Sequence, residues 1–194
     1  MKQPHSREQT NRRFLRTAAA FYLPLMAIPL GWQAVSGGSN LFYPGGFSPA
    51  GTIGGLITGI PAGLMVVAFS ALAMRRTRWG RTLARTFAEI LGGLTGAQCW
   101  WLALLSGFGE EMFFRGLLQP RLGLVITSLL FGLVHFAPRR ELFPWTAFSI
   151  GAGFLLGWLY QFSGNLVAPI ACHVVVNGIN LRGISRFAKI PPSP

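Results

Sequence analysis

The sequence predicts an all-α membrane protein: a polytopic transmembrane helix bundle of about six spans, with the N- and C-termini both cytoplasmic. The first observation behind this prediction is the composition. Of 194 residues, 51% are hydrophobic and only 11% are charged. A soluble domain carries about 25% charged residues, so this chain could not cover an apolar core with a polar surface. Lipid is therefore the expected solvent.

The second observation is a series of apolar segments, since a spanning helix needs about 20 such residues. Six segments stand out, over residues 17–35, 52–74, 90–118, 122–137, 142–160 and 162–181. The fourth is short. The third is long for one crossing, so either its helix is strongly tilted or the amphipathic stretch 81–93 lies along the membrane interface. We favour the interfacial placement.

The third observation is the position of the basic residues. With six spans and the N-terminus inside, every lysine and arginine except Arg115 and Arg121 falls in a cytoplasmic cluster, as the positive-inside rule requires. The net charge of +12 therefore indicates membrane anchoring and no nucleic-acid partner. The chain divides into a cytoplasmic tail (1–13), expected to be disordered, N-terminal membrane helices (14–85), a membrane domain (86–182) and a second cytoplasmic tail (183–194).

A few ionisable residues lie inside apolar segments, where they are costly and by default indicate function. Glu110 and Glu111 stand side by side in the third segment, and His135 and His173 lie in later ones. Helical spacing sorts these groups. Glu111 and Arg115 are i and i+4, which favours an ion pair and leaves Glu110 available for chemistry.

Two further i, i+4 pairs share a helix face: Phe131 with His135, and His173 with Asn177. A carboxylate beside an imidazole can hold and deprotonate a water molecule. An amide and a second imidazole can donate hydrogen bonds to a developing oxyanion. The set predicts amide hydrolysis without a covalent intermediate, while structural pairing of helices and proton or ion transport stay open at this point.

The three motifs around these residues resemble one family. Residues 110–115 (EEMFFR) fit EExxxR, residues 131–135 (FGLVH) fit FxxxH and residues 173–177 (HVVVN) fit HxxxN. Their order and separation resemble the CPBP family, which includes the type 2 CAAX prenyl proteases and the bacteriocin-processing Abi proteins. The resemblance covers about residues 94–182 and implies an all-helical intramembrane endopeptidase.

The resemblance also implies roles for the site residues. Glu110 would activate the water with help from His135, His173 and Asn177 would stabilise the oxyanion, and Glu111, Arg115 and Phe131 would support the site. Zinc is a possible cofactor, and its ligands would be Glu110, His135 and His173. The sequence has no HExxH motif, and we favour a water activated by glutamate without metal.

The expected partners are the lipid bilayer and a peptide or membrane-anchored protein substrate, in a bacterial or archaeal cell membrane. The activity would be CAAX-type protein processing or processing of a bacteriocin or other peptide. Two alternative functions stay open. One is a bacteriocin self-immunity or membrane binding protein, and the other is a proton-coupled transporter. No matching half-repeats of the kind transporters carry are evident in the sequence.

Overall fold

The computed structural model describes residues 4–91 and 93–187, and every regular element in them is helical. This confirms the all-α prediction. The long helices are α1 (Pro4–Ser36), α2 (Pro49–Arg76), α3 (Arg78–Leu91), α4 (Gly96–Glu111), α5 (Gln119–Val134), α6 (Phe143–Ser163) and α7 (Val167–Phe187). A π-helix (Met112–Leu118) joins α4 to α5, and a 3₁₀ turn (Arg140–Leu142) precedes α6.

Among the described residues, five helices are long and apolar enough to cross a membrane. The fourth predicted span, residues 122–137, is largely the last part of one helical run, Gly96–Val134, of 39 residues. That run bends sharply at Gly123, whose φ of 77° is a conformation that glycine adopts without strain. Beyond the bend, residues 124–134 extend for about 16 Å at 1.5 Å per residue, about half the thickness of a bilayer core.

Contacts between helix ends show which ends lie together. The Ser185 hydroxyl, near the end of α7, donates to the Leu94 carbonyl just before α4. At the opposite end of the bundle, the Asn165 amide before α7 donates to the Gly51 carbonyl in the first turn of α2 at 3.2 Å. The end where Ser185 meets Leu94 also carries the arginines of α2, α3 and α7, and we call it the arginine-rich end. These arginines are Arg75, Arg76, Arg78, Arg81, Arg85, Arg182 and Arg186.

The region before α4 confirms that the stretch 81–93 does not continue into the third span. Helix α3 is strongly amphipathic and ends at Leu91. The chain then turns at Gly93, with φ of 80°, and α4 begins after a capping box formed by Thr95 and Gln98. An amphipathic helix beside a bundle end buries one face and leaves its charged face outward.

The N-terminal tail differs from its prediction. Residues 4–13 belong to α1, so the expectation of disorder over 1–13 was wrong for them; residues 1–3 lie outside the described part. Pro4 suits the first position of a helix, and from there each residue adds one hydrogen bond to a helix already nucleated by the apolar span. At the other end α7 continues to Phe187, and residues 188–194 lie outside the described part.

Helix α7 is the central helix of the bundle, packed against α2, α4 and α6. Small residues allow this close approach, as is usual between helices in lipid. A Cβ added to Gly107 on α4 would overlap Val174, and one added to Gly59 on α2 would overlap the Ala168 carbonyl. The packing therefore brings the polar face of α7 directly against the acidic end of α4.

Candidate active site

The acidic pair lies where α4 passes into the π-helix Met112–Leu118. Glu110 is 6% exposed and Glu111 is completely buried. A π-helical turn contains an extra residue and is frequently found at functional sites. The sequence spacing did not predict it, yet Glu111 and Arg115 still meet across it.

Glu111 accepts hydrogen bonds from two helices. Arg115 Nη1 lies 3.1 Å from its Oε1, which is the ion pair that the spacing predicted. His173 Nδ1 lies 2.6 Å from the same oxygen, and this second contact was not predicted. Glu111 therefore joins the π-helix region to α7 and fixes the ring of His173.

Arg115 is also fully buried, and its guanidinium contacts two more helices. Its Nη2 donates to the Gly153 carbonyl on α6 at 3.0 Å. Its Cζ lies 4.3 Å from the centre of the Phe131 ring on α5, which is a cation–π distance. The Phe131 ring in turn lies 4.7 Å from the ring of His135 and 6.1 Å from that of His173.

Glu110 faces both histidines. Its Oε2 lies 3.6 Å from His135 Nε2 and 4.0 Å from His173 Nε2. His135 Nδ1 lies 2.7 Å from the Phe131 carbonyl oxygen, which can only accept, so this nitrogen carries a hydrogen. His173 Nδ1 faces the Glu111 carboxylate in the same way. Both rings are thus held with Nε2 turned towards the Glu110 carboxylate.

The space between the side chains of Glu110, His135 and His173 is suited to a hydrogen-bond donor. No described side chain hydrogen-bonds Glu110 Oε2, and the atom is buried. A neutral His135 with its hydrogen on Nδ1 presents an acceptor at Nε2, and two acceptors repel unless a donor lies between them. A water molecule, with two hydrogens, could donate to both atoms.

The formal charges of the cluster also favour an additional proton. Glu110 and Glu111 bring two negative charges, and Arg115 brings one positive charge. An uncompensated charge inside a membrane protein is expensive. One further proton on the cluster, on His173 or on Glu110, makes it neutral.

Asn177 lies one helical turn from His173 and contacts a residue that the sequence did not indicate. Its Nδ2 donates to Ser106 Oγ on α4 at 2.9 Å, and Ser106 lies one turn before Glu110. The pairs Glu110–His173 and Ser106–Asn177 therefore stack as successive layers between antiparallel helices. An amide NH₂ has two hydrogens, so one remains for another acceptor.

The six-span topology placed His135 near the inner face and His173 near the outer face, so a shared site needed bent helices. The bend at Gly123 supplies the required change of helix direction. After it, α5 continues to Val134, directly before His135. The geometry thus brings together Glu110, Glu111, Arg115, Phe131, His135 and His173. Asn177 occupies the neighbouring layer.

The side chains that could hold a metal were predicted to be Glu110, His135 and His173. In the described ranges 4–91 and 93–187, no group of three or more His, Cys, Asp or Glu side chains is arranged to hold a metal ion. Zinc binding by these residues stays a prediction, and we derive no step through a metal.

Residues 93–179 match the family model described as type II CAAX prenyl endopeptidase Rce1-like. This segment is similar to the Rce1-like CAAX protease family. Every predicted site residue, from Glu110 to Asn177, lies inside the Rce1-like segment. Five helices long and apolar enough to cross a membrane, together with this match to a family of membrane proteases, indicate an integral membrane protein.

One curated relative is the uncharacterized protein YpbD of Bacillus subtilis (strain 168). It is 41% identical over 80 residues, which is 40% of this chain and 41% of the relative. The match thus spans about two fifths of the relative's length. No solved structure matches the chain.

Two aromatic side chains at the site were missed by the sequence reasoning. Trp145 at the start of α6 lies edge-on to His135, with ring centres 5.6 Å apart. Tyr22 on α1 packs against Gly109, the residue before Glu110. Neither residue lies in one of the three sequence motifs. An aromatic residue in an apolar segment most often contacts lipid or the membrane interface, so nothing in the local sequence marked these two residues as part of the site.

Proposed function

We propose that this protein is an intramembrane endopeptidase that hydrolyses a peptide bond through a water molecule activated by Glu110 and His135. The observation that carries the proposal is the convergence of Glu110 Oε2 with the Nε2 atoms of His135 and His173, at 3.6 Å and 4.0 Å. The match of the Rce1-like segment to a protease family supports amide hydrolysis over ion transport for the same polar set.

In the first step the water lies between Glu110 and His135 and donates a hydrogen bond to each. Glu110 takes a proton as the water oxygen attacks the carbonyl carbon of the substrate. The carbonyl π electrons move to its oxygen and form a tetrahedral oxyanion.

In the second step the oxyanion is stabilised by hydrogen-bond donors. We assign this role to His173, with its extra proton on Nε2, and to the second amide hydrogen of Asn177. Glu111 and Arg115 hold His173 in a fixed orientation and balance its charge. Glu110 then passes its proton to the leaving nitrogen, the C–N bond breaks, and the carboxylate is restored.

The substrate class that fits is a membrane-anchored protein or peptide, cut close to the membrane surface. We infer this from the apolar surroundings of the site and from the partial exposure of His135, which is 20% exposed against 7% for Glu110. CAAX-type processing and processing of another membrane peptide both satisfy this description. We place the protein in a bacterial or archaeal cell membrane.

The test uses purified protein in vesicles with two fluorescent reporters, a farnesylated CAAX peptide and the same peptide without the lipid. Glu110→Gln and His135→Ala should each lower kcat by at least about 100-fold, while both remain folded by tryptophan fluorescence. The matched control is Glu89→Gln, on the exposed surface of α3, which should keep full activity. Retained activity in both site variants, or no cleavage of either reporter by wild type, would contradict the proposal.

A further inference from the structure

A groove runs between α2 and α6 on the outer surface of the bundle. It encloses about 410 Å³ and is lined on α2 by Ala62, Met65 and Phe69 and on α6 by Phe148, Gly151 and Leu155. Met65 is 68% exposed, and a Cβ built on Gly151 would meet no atom within 4 Å. We call this depression the α2–α6 groove. Because its lining carries no ionisable side chain, the chemistry that fits inside it is an aliphatic chain.

The groove joins two parts of the chain. Helix α2 precedes the Rce1-like segment, whereas α6 lies inside it. Ala62 in the groove belongs to the buried cluster that contains Phe131. On the α6 side, Phe148 stacks on Trp145 with ring centres 5.8 Å apart, and Trp145 lies edge-on to His135. An occupant of the groove would therefore contact α2 and α6 together, beside the core that surrounds the candidate active site.

The α2 wall of the groove leads to an arginine. Ala62, Met65 and Phe69 lie on one stripe of α2, and residues seven apart return to the same face of a helix. Arg76 therefore continues the stripe two turns beyond Phe69. From Ala62 to Arg76 the helix extends for about 21 Å at 1.5 Å per residue. One leaflet of a bilayer, headgroups included, is roughly 20–22 Å thick, so the groove and Arg76 are spaced like the tail and the headgroup of one lipid.

The charge beyond the groove is positive and is not neutralised by acidic side chains. Arg76 is exposed, and Arg81 of α3 donates to the Arg75 carbonyl at 3.1 Å, which brings a second guanidinium to the end of α2. Within the ranges 4–91 and 93–187, no carboxylate forms an ion pair with an arginine of the arginine-rich end. Arginines at a membrane surface attract anionic lipid headgroups, and basic pockets beside spanning helices bind them.

We propose that the α2–α6 groove binds one anionic phospholipid, with an acyl chain between Met65 and Gly151 and the phosphate headgroup at Arg76. The apolar groove holds the tail, and the arginines select an anionic headgroup over a zwitterionic one. The bound lipid bridges α2 to α6. The site is separate from Glu110, and lipid binding there requires no hydrolysis.

The test is photolabelling of the purified full chain in phosphatidylcholine vesicles. A small fraction of phosphatidylglycerol with a photoreactive group in its acyl chain is added, and labelled peptides are identified by mass spectrometry. The label should concentrate on residues 62–69 and 148–155. Photoreactive phosphatidylcholine should label these residues about fivefold less, which is the factor expected from one arginine near the membrane surface. Equal labelling by both lipids, or label spread evenly over all exposed helices, would overturn the proposal.

Two pairs of variants locate the headgroup and the tail. Arg76→Gln should lower labelling by phosphatidylglycerol about fivefold, whereas Arg186→Gln, at the same end of the bundle but on α7, should leave it unchanged. Gly151→Phe fills the groove and should abolish labelling there by either lipid. Its matched control is Gly31→Phe on α1, where an added Cβ also meets open space. Equal losses in Arg76→Gln and Arg186→Gln would show general attraction to the surface and would refute a specific site.

A competition distinguishes the phospholipid from the other hydrocarbon that could enter the groove, the farnesyl chain of a reporter peptide. An excess of unlabelled phosphatidylglycerol should displace the label, and the farnesylated reporter should not. Displacement by the reporter alone would assign the groove to substrate and overturn lipid binding. Photolabelling needs no cleavage, so its outcome is independent of whether Glu110→Gln loses activity.

Discussion

Arg115→Met should strongly destabilise the bundle, because the arginine side chain is fully buried and contacts three groups. It pairs with Glu111 at 3.1 Å, donates to the Gly153 carbonyl at 3.0 Å and lies 4.3 Å from the centre of the Phe131 ring. Methionine has an unbranched chain that can occupy much of the space but can donate to none of these groups.

The expected size follows from the groups left behind. Removing one partner of a buried ion pair costs about 3–5 kcal/mol. The orphaned Gly153 carbonyl alone accounts for roughly 1–3 kcal/mol, and the lost cation–π contact for roughly 1–2 kcal/mol. These contributions overlap and do not add, so we expect a loss of about 4 kcal/mol in the free energy of unfolding.

The assay is unfolding in mixed micelles with increasing sodium dodecyl sulfate, followed by tryptophan fluorescence. Arg121→Met is the matched control, because Arg121 is exposed at the other end of the π-helix region and stacks on Trp32 at 4.8 Å; it should lose less than about 1 kcal/mol. The double variant Glu111→Gln/Arg115→Met should lose less than Arg115→Met alone, since the negative charge that Arg115 balances is removed with it. Equal losses in Arg115→Met and Arg121→Met would refute the reasoning.

Two further predictions concern the layer beside the acidic pair and the metal question. Ser106→Ala removes the hydrogen-bond partner of Asn177, so kcat on the farnesylated reporter should fall about tenfold with KM unchanged; a rise in KM alone would show that the pair binds substrate and does not act on the oxyanion. Treatment with 1,10-phenanthroline should leave the cleavage rate unchanged, and metal analysis should find far less than one zinc per chain. A rate that falls and returns on adding zinc would instead establish the alternative ligand set of Glu110, His135 and His173.

The fold class could be predicted because lipid imposes strong rules on sequence. Low charge, long apolar segments and clustered arginines each follow from the cost of placing charge in hydrocarbon. The resemblance to CAAX proteases followed from three motifs and is confirmed over residues 93–179. The catalytic roles of Glu110, His135, His173 and Asn177 stay predictions.

The rest of the site could not be predicted because it depends on contacts between helices. The pair Glu111–Arg115 lies within one helical run and follows from i, i+4 spacing. The bond from His173 to Glu111 crosses 62 positions, and nothing in the local pattern marks it. Ser106 and Tyr22 were missed for the same reason, since a lone serine or tyrosine in an apolar run has no periodic signature.

The bend at Gly123 also explains why six spans were expected where five helices have sufficient length. Hydropathy counts apolar residues and does not register a backbone φ of 77°. The fourth apolar segment is therefore visible in the sequence, while its short length beyond the bend is visible only in the structure.

The shortness of α5 has a consequence for the lipid around it. Residues 124–134 reach about 16 Å, so a bilayer of ordinary thickness overhangs this side of the protein by many ångströms. Lipids meet such a mismatch by thinning locally, at a modest cost per ångström. Thinning at the end of α5 would bring the membrane surface nearer to His135, where the helix ends. For the peptidase proposed above, a peptide lying flat on such a thinned surface would reach the Glu110 carboxylate without entering the hydrocarbon.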